Sequence, residues 1–206
     1  MAGKRGRPSK AVEPTDARKR LVDAAIALIA QNGIDAFTAA NVVETSGLST
    51  GTFYHHFKNM DDLMMTIVKE VAFDRFIMQT PIEDFPGRVC ELYSHLVEHY
   101  SNLGVTFMKR FYNPGNKALA SYMCEENGHF AAGTAMARCE DEARVAIAAG
   151  VLKPDTDPHK LSADICSIVK GCLFDWAMSD LKTDIQGTMA RILQLYLSSI
   201  LTMKPS

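Results

Sequence analysis

The sequence predicts an all-α protein of about nine helices, with a helix-turn-helix head near the N-terminus and a larger helical core after it. Three observations predict this fold. Apolar residues recur every three or four positions along most of the chain. Residues that cap helices, and glycines that end them, divide the chain into segments of helical length. No segment alternates apolar and polar residues as a strand does.

The composition is that of an ordinary globular protein. The chain has 206 residues, of which 47% are hydrophobic. No apolar run approaches the roughly 18 residues of a membrane span, and the N-terminus has no apolar signal segment. The cysteines number 5 and form no CxxC pair, which favours reduced thiols over a disulfide framework. We therefore expect a cytoplasmic protein without a membrane partner.

Positive charge is concentrated at the N-terminus. Residues 1–20 carry seven Lys or Arg and two Asp or Glu, although the whole chain has a net charge of −2. A basic front end on an acidic body is typical of a chain that binds a polyanion through one part only, and a solvated basic tail is the alternative. Residues 1–14 lack any apolar periodicity, so we expect a flexible basic arm there.

The first helix is predicted from Thr15, which can cap it, to Asn32, where Gly33 ends it. Further caps are expected at Thr38, Ser49 and Asn59, which open the second, third and fourth helices. Gly47 supplies the positive φ of the turn between helices two and three. The helix-turn-helix domain would then cover residues 15–60 and the core residues 61–206.

The core is predicted to continue as helices. An apolar stripe runs from Phe85 to Tyr100, and a long helical segment is expected over 116–149, with Gly128 as a possible break. Asp157 followed by Pro158 opens the next helix, and Thr183 is expected to open the last one.

Small and polar residues lead the third helix, which suits insertion into the DNA major groove. Thr52, Tyr54 and His55 can reach phosphates or base edges. A helical hairpin with no ligand is the alternative interpretation. The residues expected to face inward and hold the two helices on the first are Val42, Leu48, Phe53 and Phe57.

Residues 20–68 resemble the DNA-binding domain of the TetR family of bacterial transcriptional regulators. The resemblance rests on "AAIALIAQNG" (24–33), "SGLSTGTFYHHF" (46–57) and "KNMDDL" (58–63). It implies an obligate homodimer, in which helix four links the reading head to a ligand-binding core. By position, it also implies DNA contacts at Thr38, Ala39, Ser49, Thr50, Gly51, Thr52, Tyr54, His55 and Lys58.

The arm suggests a second DNA contact. Its "KRGRPSK" (4–10) resembles an AT-hook core, in which Arg5 and Arg7 would enter a narrow A·T minor groove. A disordered tail that only improves solubility is the alternative.

Aromatic and sulfur-containing residues are dense between Phe73 and Trp176. They form either core packing or the lining of an apolar pocket for a small molecule, and the resemblance favours a pocket. The candidate ligand contacts are Tyr93, Phe107, Phe111, Cys172 and Trp176.

The last two helices have broad apolar faces, which the resemblance implies are paired with those of a second copy. A monomer is expected to leave Ile185, Met189, Ile192 and Tyr196 poorly covered. The candidate interface residues are Ile165, Ile185, Met189, Ile192 and Tyr196.

Signals for other functions are weak. "HLVEH" (95–99) fits the pattern of one zinc-peptidase class, but its histidines are expected on a solvated helix face. A cluster at Cys124, Glu125, Glu126 and His129 is expected to be an exposed helix end. We expect no catalytic residue, metal or cofactor.

The sequence therefore predicts a dimeric regulator, more often a repressor, that an apolar or amphipathic small-molecule effector releases from a pseudo-palindromic operator. A co-regulator of the same fold that responds to a protein partner, and a metal-dependent enzyme built on His95, Glu98 and His99, are the alternatives.

Overall fold

The computed structural model describes residues 14–69, 73–113, 115–117, 119, 125, 127–179 and 183–202. The arm, with Arg5 and Arg7, lies outside this range. Within it the chain is all-α and has no β-strand, which confirms the predicted fold class. The helices are α1 (Pro14–Asn32), α2 (Ala39–Ser46), α3 (Thr50–His56), α4 (Met60–Val68), α5 (Phe85–Leu103), α6 (Val105–Phe111), α7 (Ala135–Ala148), α8 (Pro158–Met178) and α9 (Ile185–Ser198), with 3₁₀ turns at Ile34–Ala36 and Phe73–Arg75.

The chain divides into two compact units, residues 1–63 and 64–206, and the division falls within α4. In the first unit, α1 packs against both α2 and α3. The aromatic rings of Phe37, Phe53 and Phe57 are fully or almost fully buried there, together with Leu21 and Val42. These side chains give α3 a rigid base.

Side-chain caps fix the helix starts of the first unit, as predicted. Thr38 Oγ1 accepts a hydrogen bond from Asn41 N (3.3 Å), and Ser49 Oγ accepts one from Thr52 N (3.0 Å). Asn59 Oδ1 caps α4 by accepting from Asp62 N (2.9 Å). The predicted cap at Thr15 is wrong, because α1 already includes Pro14, whose fixed φ suits a first helical turn.

The turn between α2 and α3 is held by the backbone and by one long-range contact. Gly47 has a φ of 65°, in the left-handed region that favours glycine, and Leu48 N donates to Val43 O (3.3 Å). The Arg20 guanidinium donates to the carbonyl of Ser46 (2.6 Å). α1 therefore fixes the residue at which α2 ends.

The second unit is a helical core around α5 and α8. α5 packs against α7 and α9, and α8 packs against α6, α7 and α9. After α9, Leu201 forms an isolated antiparallel bridge with Leu152, in the loop that precedes α8. In the described part of the chain, no helix is long and apolar enough to cross a membrane.

Two predicted boundaries in the core are wrong. The last helix is opened by Asp184, whose carboxylate accepts from Gly187 N (3.0 Å), while Thr183 bonds instead to Ser179 (2.8 Å). In the 116–149 segment the break is longer than one glycine, since α7 begins only after its cap at Thr134. The caps at Asp157 and at the α4 start match the predictions.

Two buried carboxylates of α7, Glu140 and Glu142, form ion pairs with residues of α5, α7 and α8. Glu142 bonds to Arg88 of α5 (2.5 Å) and to Arg138 of its own helix (2.8 Å). Glu140 is paired with Arg144 and with His159 of α8 (2.9 Å). Because buried carboxylates are costly unless they are paired, these contacts restrict how α5, α7 and α8 pack.

His159 joins three segments. Its ring bonds to Glu140 and, through Nε2, to Glu125 (3.1 Å), and it stacks on the Phe130 ring with centroids 4.3 Å apart. The hydrogen bonds to these two carboxylates raise the pKa of His159, although partial desolvation opposes them. Through these contacts His159 connects Glu125 and Phe130 to α7 and α8.

Replacing Gly47 with Ala should destabilise the head by about 1 kcal/mol, because a Cβ is disfavoured at positive φ. The matched control is Gly51→Ala in α3, where the φ is not positive and a Cβ would lie 3.7 Å from Ser49 Oγ, an ordinary contact. Gly51→Ala should leave the urea midpoint unchanged or raise it. Equal losses of stability in both variants would contradict this account of the turn.

Replacing His159 with Gln should destabilise the protein by about 1 kcal/mol at pH 6, and by less at pH 8.5. A raised folded-state pKa means that the charge of His159 adds stability fully below its usual value, and that this stability is lost as pH rises through the folded value. The measurement is the melting temperature of both proteins from pH 6 to 8.5. A difference that does not shrink with rising pH would refute the role of the charge.

Candidate nucleic-acid interface and ligand cavity

The outer side of α2, the turn and α3 is polar and accessible. Tyr54 is 58% exposed, although its neighbour Phe53 is fully buried and meets it edge to face at 5.2 Å. The other predicted contacts, each at least partly exposed, are Thr38, Ala39, Ser49, Thr50, Gly51, Thr52, His55 and Lys58. The structure thus brings the predicted DNA contacts of this unit onto accessible positions around α3.

Hydroxyl groups order the front of α3. Ser49 Oγ and Thr52 Oγ1 lie 2.8 Å apart and share a hydrogen bond, in addition to the bond from Thr52 N. Both side chains are therefore held in place before any ligand arrives. A preordered polar edge of this kind costs less entropy to bind than a mobile one.

Two cationic side chains, Arg18 and Lys58, lie near the other end of α3. Arg18 lies over the Phe57 ring, 5.4 Å from its centroid, and Lys58 follows directly after α3. The pKa of His56 is lowered, chiefly by desolvation and also by His55 and Arg18.

The second unit contains a mostly apolar cavity between α5, α7 and α8. Its lining includes Phe73, Leu96, Met136, Val169 and Leu173. The space within it that a water-sized sphere can occupy is about 30 Å³. Pockets for small molecules are roughly ten times larger, so a ligand of that size must displace side chains to enter.

The cavity coincides only in part with the predicted ligand contacts. Tyr93 lines it, whereas Phe107, Phe111 and Trp176 are buried outside the lining. Cys172 lies on a different groove, between α8 and α9. Helical periodicity explains the different position of Cys172. The face of α8 that lines the cavity carries residues 166, 169, 170 and 173, and position 172 points away from this face.

Sequence reasoning missed one charged feature of the cavity. Lys170 lines it beside Cys166, one turn earlier on α8. The position of Lys170 could have been predicted from the sequence. Residues 166, 169, 170 and 173 have the spacing of one helix face, and Lys170 is the one charged residue among them.

The outer surface of α8 and α9 differs from the predicted interface. Ile165, Ile185 and Met189 are buried within the single chain, so the expectation that a monomer leaves Ile185 and Met189 poorly covered is wrong. They face the core between the packed helices. Ile192 and Tyr196 are partly exposed. The large apolar side chains that are exposed on these helices are Phe174, Met178 and Leu195.

Among the described residues, no group of three His, Cys, Asp or Glu side chains could hold a metal ion. His95 stacks on Phe76 (4.4 Å), and His99 is half-buried, so the predicted solvated face is wrong. Burial lowers the pKa of His99. In the second cluster Glu125 pairs with His159, while Cys124 and Glu126 lie outside the described residues.

Comparison with known proteins agrees with this geometry. Residues 21–66 match the family model described as bacterial regulatory proteins, tetR family. This stretch covers most of α1, the helix-turn-helix and most of α4.

Relatives extend the similarity along the chain. The fatty acid metabolism regulator protein of Bacillus subtilis (strain 168) is 23% identical over 196 residues, which cover 88% of this chain and 94% of that protein. The solved structure of TylP, a TetR regulator from Streptomyces fradiae, covers 93% of this chain and 89% of its own, with 15% identity and a TM-score of 0.59. Bacillus subtilis FadR in complex with stearoyl-CoA covers 88% of this chain and 98% of its own, with 18% identity and a TM-score of 0.58. Residues 21–66 are therefore similar to bacterial regulatory proteins of the tetR family, and the chain shares its fold with solved TetR regulators.

Proposed function

We propose that the protein is a homodimeric repressor that binds a pseudo-palindromic operator and leaves it when a small amphipathic effector binds the second unit. The observation that carries this proposal is the exposed, preordered polar face of α3 on a buried aromatic base. Tyr54 and Thr52 would contact base edges or phosphates in the major groove, and Lys58 would contact the phosphate backbone.

The basic arm would add a minor-groove contact through Arg5 and Arg7. Both arginines precede α1 by only a few residues in the sequence, so an arm extending from α1 could reach DNA held by α3. Each phosphate that the arm neutralises would steepen the dependence of log K on log salt concentration by about 0.9.

The cavity between α5, α7 and α8 would receive the effector. The complex of Bacillus subtilis FadR with stearoyl-CoA supports an effector with a long apolar portion. Binding would open the cavity and change the DNA affinity through α4, which contains residues of both units. Such couplings amount to about 1–3 kcal/mol, and they require different effector affinities in the two states.

The outer faces of α8 and α9 would form the dimer interface. Phe174, Met178 and Leu195 are each at least 60% exposed in the single chain. A cluster of large exposed apolar side chains commonly marks a protein contact. A twofold copy would cover them, and it would supply the second reading head that a palindrome needs.

The small volume of the cavity also favours a second candidate, a co-regulator of the same fold that responds to a protein partner. Co-purification of a stoichiometric partner, with no shift in DNA binding by small amphipathic molecules, would favour this candidate over the first.

Replacing Thr52 or Tyr54 with Ala should weaken binding to a fragment of the protein's own upstream region by about tenfold each. The measurement is a gel shift at a fixed, low salt concentration. Gln31→Ala is the matched control, because Gln31 is an exposed polar residue of α1 that is not among the predicted DNA contacts. Wild-type affinity in both Ala variants would refute the proposed reading face.

Replacing Leu195 with Glu should raise the dimer dissociation constant by roughly 30-fold or more, because one substitution places two charges in a twofold interface. Sedimentation velocity over a concentration series measures this constant. Val145→Glu is the control, since Val145 is 52% exposed on α7 rather than on the proposed interface. Circular dichroism should show that both variants fold, and an undisturbed L195E dimer would contradict this interface.

A further inference from the structure

The carbonyl of Ser46 has a hydrogen-bond partner on another helix. Ser46 is the last residue of α2 and is 8% exposed, and its carbonyl accepts a hydrogen bond from Arg20 Nη2 of α1 (2.6 Å). The last carbonyls of a helix have no partner within that helix, so a donor from elsewhere satisfies an otherwise unpaired acceptor. This bond joins α1 to the end of α2, although the two residues are 26 positions apart in the sequence.

The charge of Arg20 also suits this position. The carboxyl end of a helix carries a partial negative charge, and a cation placed there is stabilising. α2 has no basic residue in its own last turn, so α1 supplies the cation. Arg20 is itself half-buried, which limits the competition of water for the bond. The contact is therefore stronger than a hydrogen bond between two exposed neutral groups.

The same guanidinium lies against the turn that leads to α3. A Cβ at position 47 would lie 3.6 Å from Arg20 Nη2. Two backbone bonds close this turn. Gly47 N donates to Glu44 O (3.1 Å), and Leu48 N donates to Val43 O (3.3 Å). Arg20 thus contacts the chain at the point where it changes direction between the two helices.

The start of α3 depends on this turn more than its end does. α3 has 7 residues, and the buried one among them is Phe53, in its middle. Phe57, directly after the helix, is buried as well. Ser49 and Thr50, at the start, are exposed, so apolar packing does not hold this end. The direction of the leading edge of α3 is therefore set by the turn that Arg20 contacts.

We propose that Arg20 is a positioning residue for DNA recognition, which orients α3 through the carbonyl of Ser46 and does not itself contact DNA. The inference rests on the proposed function and deepens it, because it names a residue outside the reading face that controls affinity. Without the bond, the turn can adopt other arrangements, and DNA binding must restore the one that presents Ser49 and Thr52. The apparent affinity then equals the intrinsic affinity multiplied by the fraction of molecules that keep this arrangement.

Arg20→Met tests the proposal, because it keeps a long apolar side chain but removes the donor and the charge. Fluorescence anisotropy with the full chain and a labelled fragment of its own upstream region should show about tenfold weaker binding. The temperature is kept well below the melting points of both proteins. Over a salt series, the slope of log K against log salt concentration should equal that of the wild type, because the phosphate contacts in the complex are unchanged.

Lys19→Met is the matched control, one residue earlier on α1. Lys19 is exposed and pairs with Asp23 of the same helix (3.0 Å). This variant also loses one positive charge, but it leaves the contact with Ser46 in place. It should change the affinity for the fragment by less than about twofold, because solvent and salt screen an exposed charge.

A second measurement needs no DNA. The amides of Gly47 and Leu48 donate the two backbone bonds of the turn, so their hydrogen exchange reports whether the turn keeps its arrangement. Exchange at both amides should be at least tenfold faster in R20M than in the wild type. It should be unchanged in K19M.

Wild-type affinity of folded R20M would overturn the proposal and leave Arg20 a role in stability alone. A slope reduced by about 0.9 for each subunit, with unchanged amide exchange, would show instead that Arg20 contacts a phosphate. If R20M does not fold, the shorter, uncharged variant Arg20→Gln takes its place, and failure of both to fold would also assign Arg20 to stability. Failure of the wild type to bind the fragment would refute the proposed function, whereas faster exchange in R20M would still show that Arg20 holds the turn.

Discussion

The fold depends on satisfying the backbone N–H groups that every helix leaves unpaired in its first turn. Side-chain oxygens of Ser, Thr, Asn or Asp accept hydrogen bonds from these N–H groups, both in the helices of the first unit and in those of the second. The side chain of Ser49 orients α3 at the reading head, and that of Asp157 accepts from His159 N (3.0 Å) and Lys160 N (3.1 Å) at the start of α8. Because each cap fixes the residue at which a helix begins, it also fixes which side chains face the core.

Each of these caps forms between residues that are close together in the sequence, which explains how much of the fold could be predicted from the sequence. The all-α class, the caps at Thr38, Ser49 and Asn59, and the left-handed turn at Gly47 depend on neighbouring residues, and the structure confirms them. At the last helix two adjacent residues could cap, and the sequence alone did not distinguish them. Thr183 is turned toward the end of α8, which leaves Asp184 as the cap.

The cavity could not be predicted to the same extent, because it depends on how distant helices meet. Tyr93 and Trp176 were both expected to contact a ligand, but only the packing of α5, α7 and α8 shows that Tyr93 lines the cavity and Trp176 does not. The same limit applies to Glu140 and Glu142. In the sequence they belong to an acidic stretch typical of a solvated surface, yet Glu142 is buried against Arg88 of α5 and Glu140 against His159 of α8. On α9, the apolar stripe was correctly recognised, but packing directs Met189 inward and leaves Leu195 exposed.

The small volume of the cavity has a consequence for how such a regulator would respond to effector concentration. Part of the free energy of ligand contact is spent on parting the walls, so the apparent affinity equals the intrinsic affinity multiplied by the fraction of molecules that are already open. The concentration that triggers a response is then set by the ease of opening as well as by the contacts themselves. Wall residues that never touch the ligand would thereby set the threshold of the response, and evolution could retune it without altering chemical selectivity.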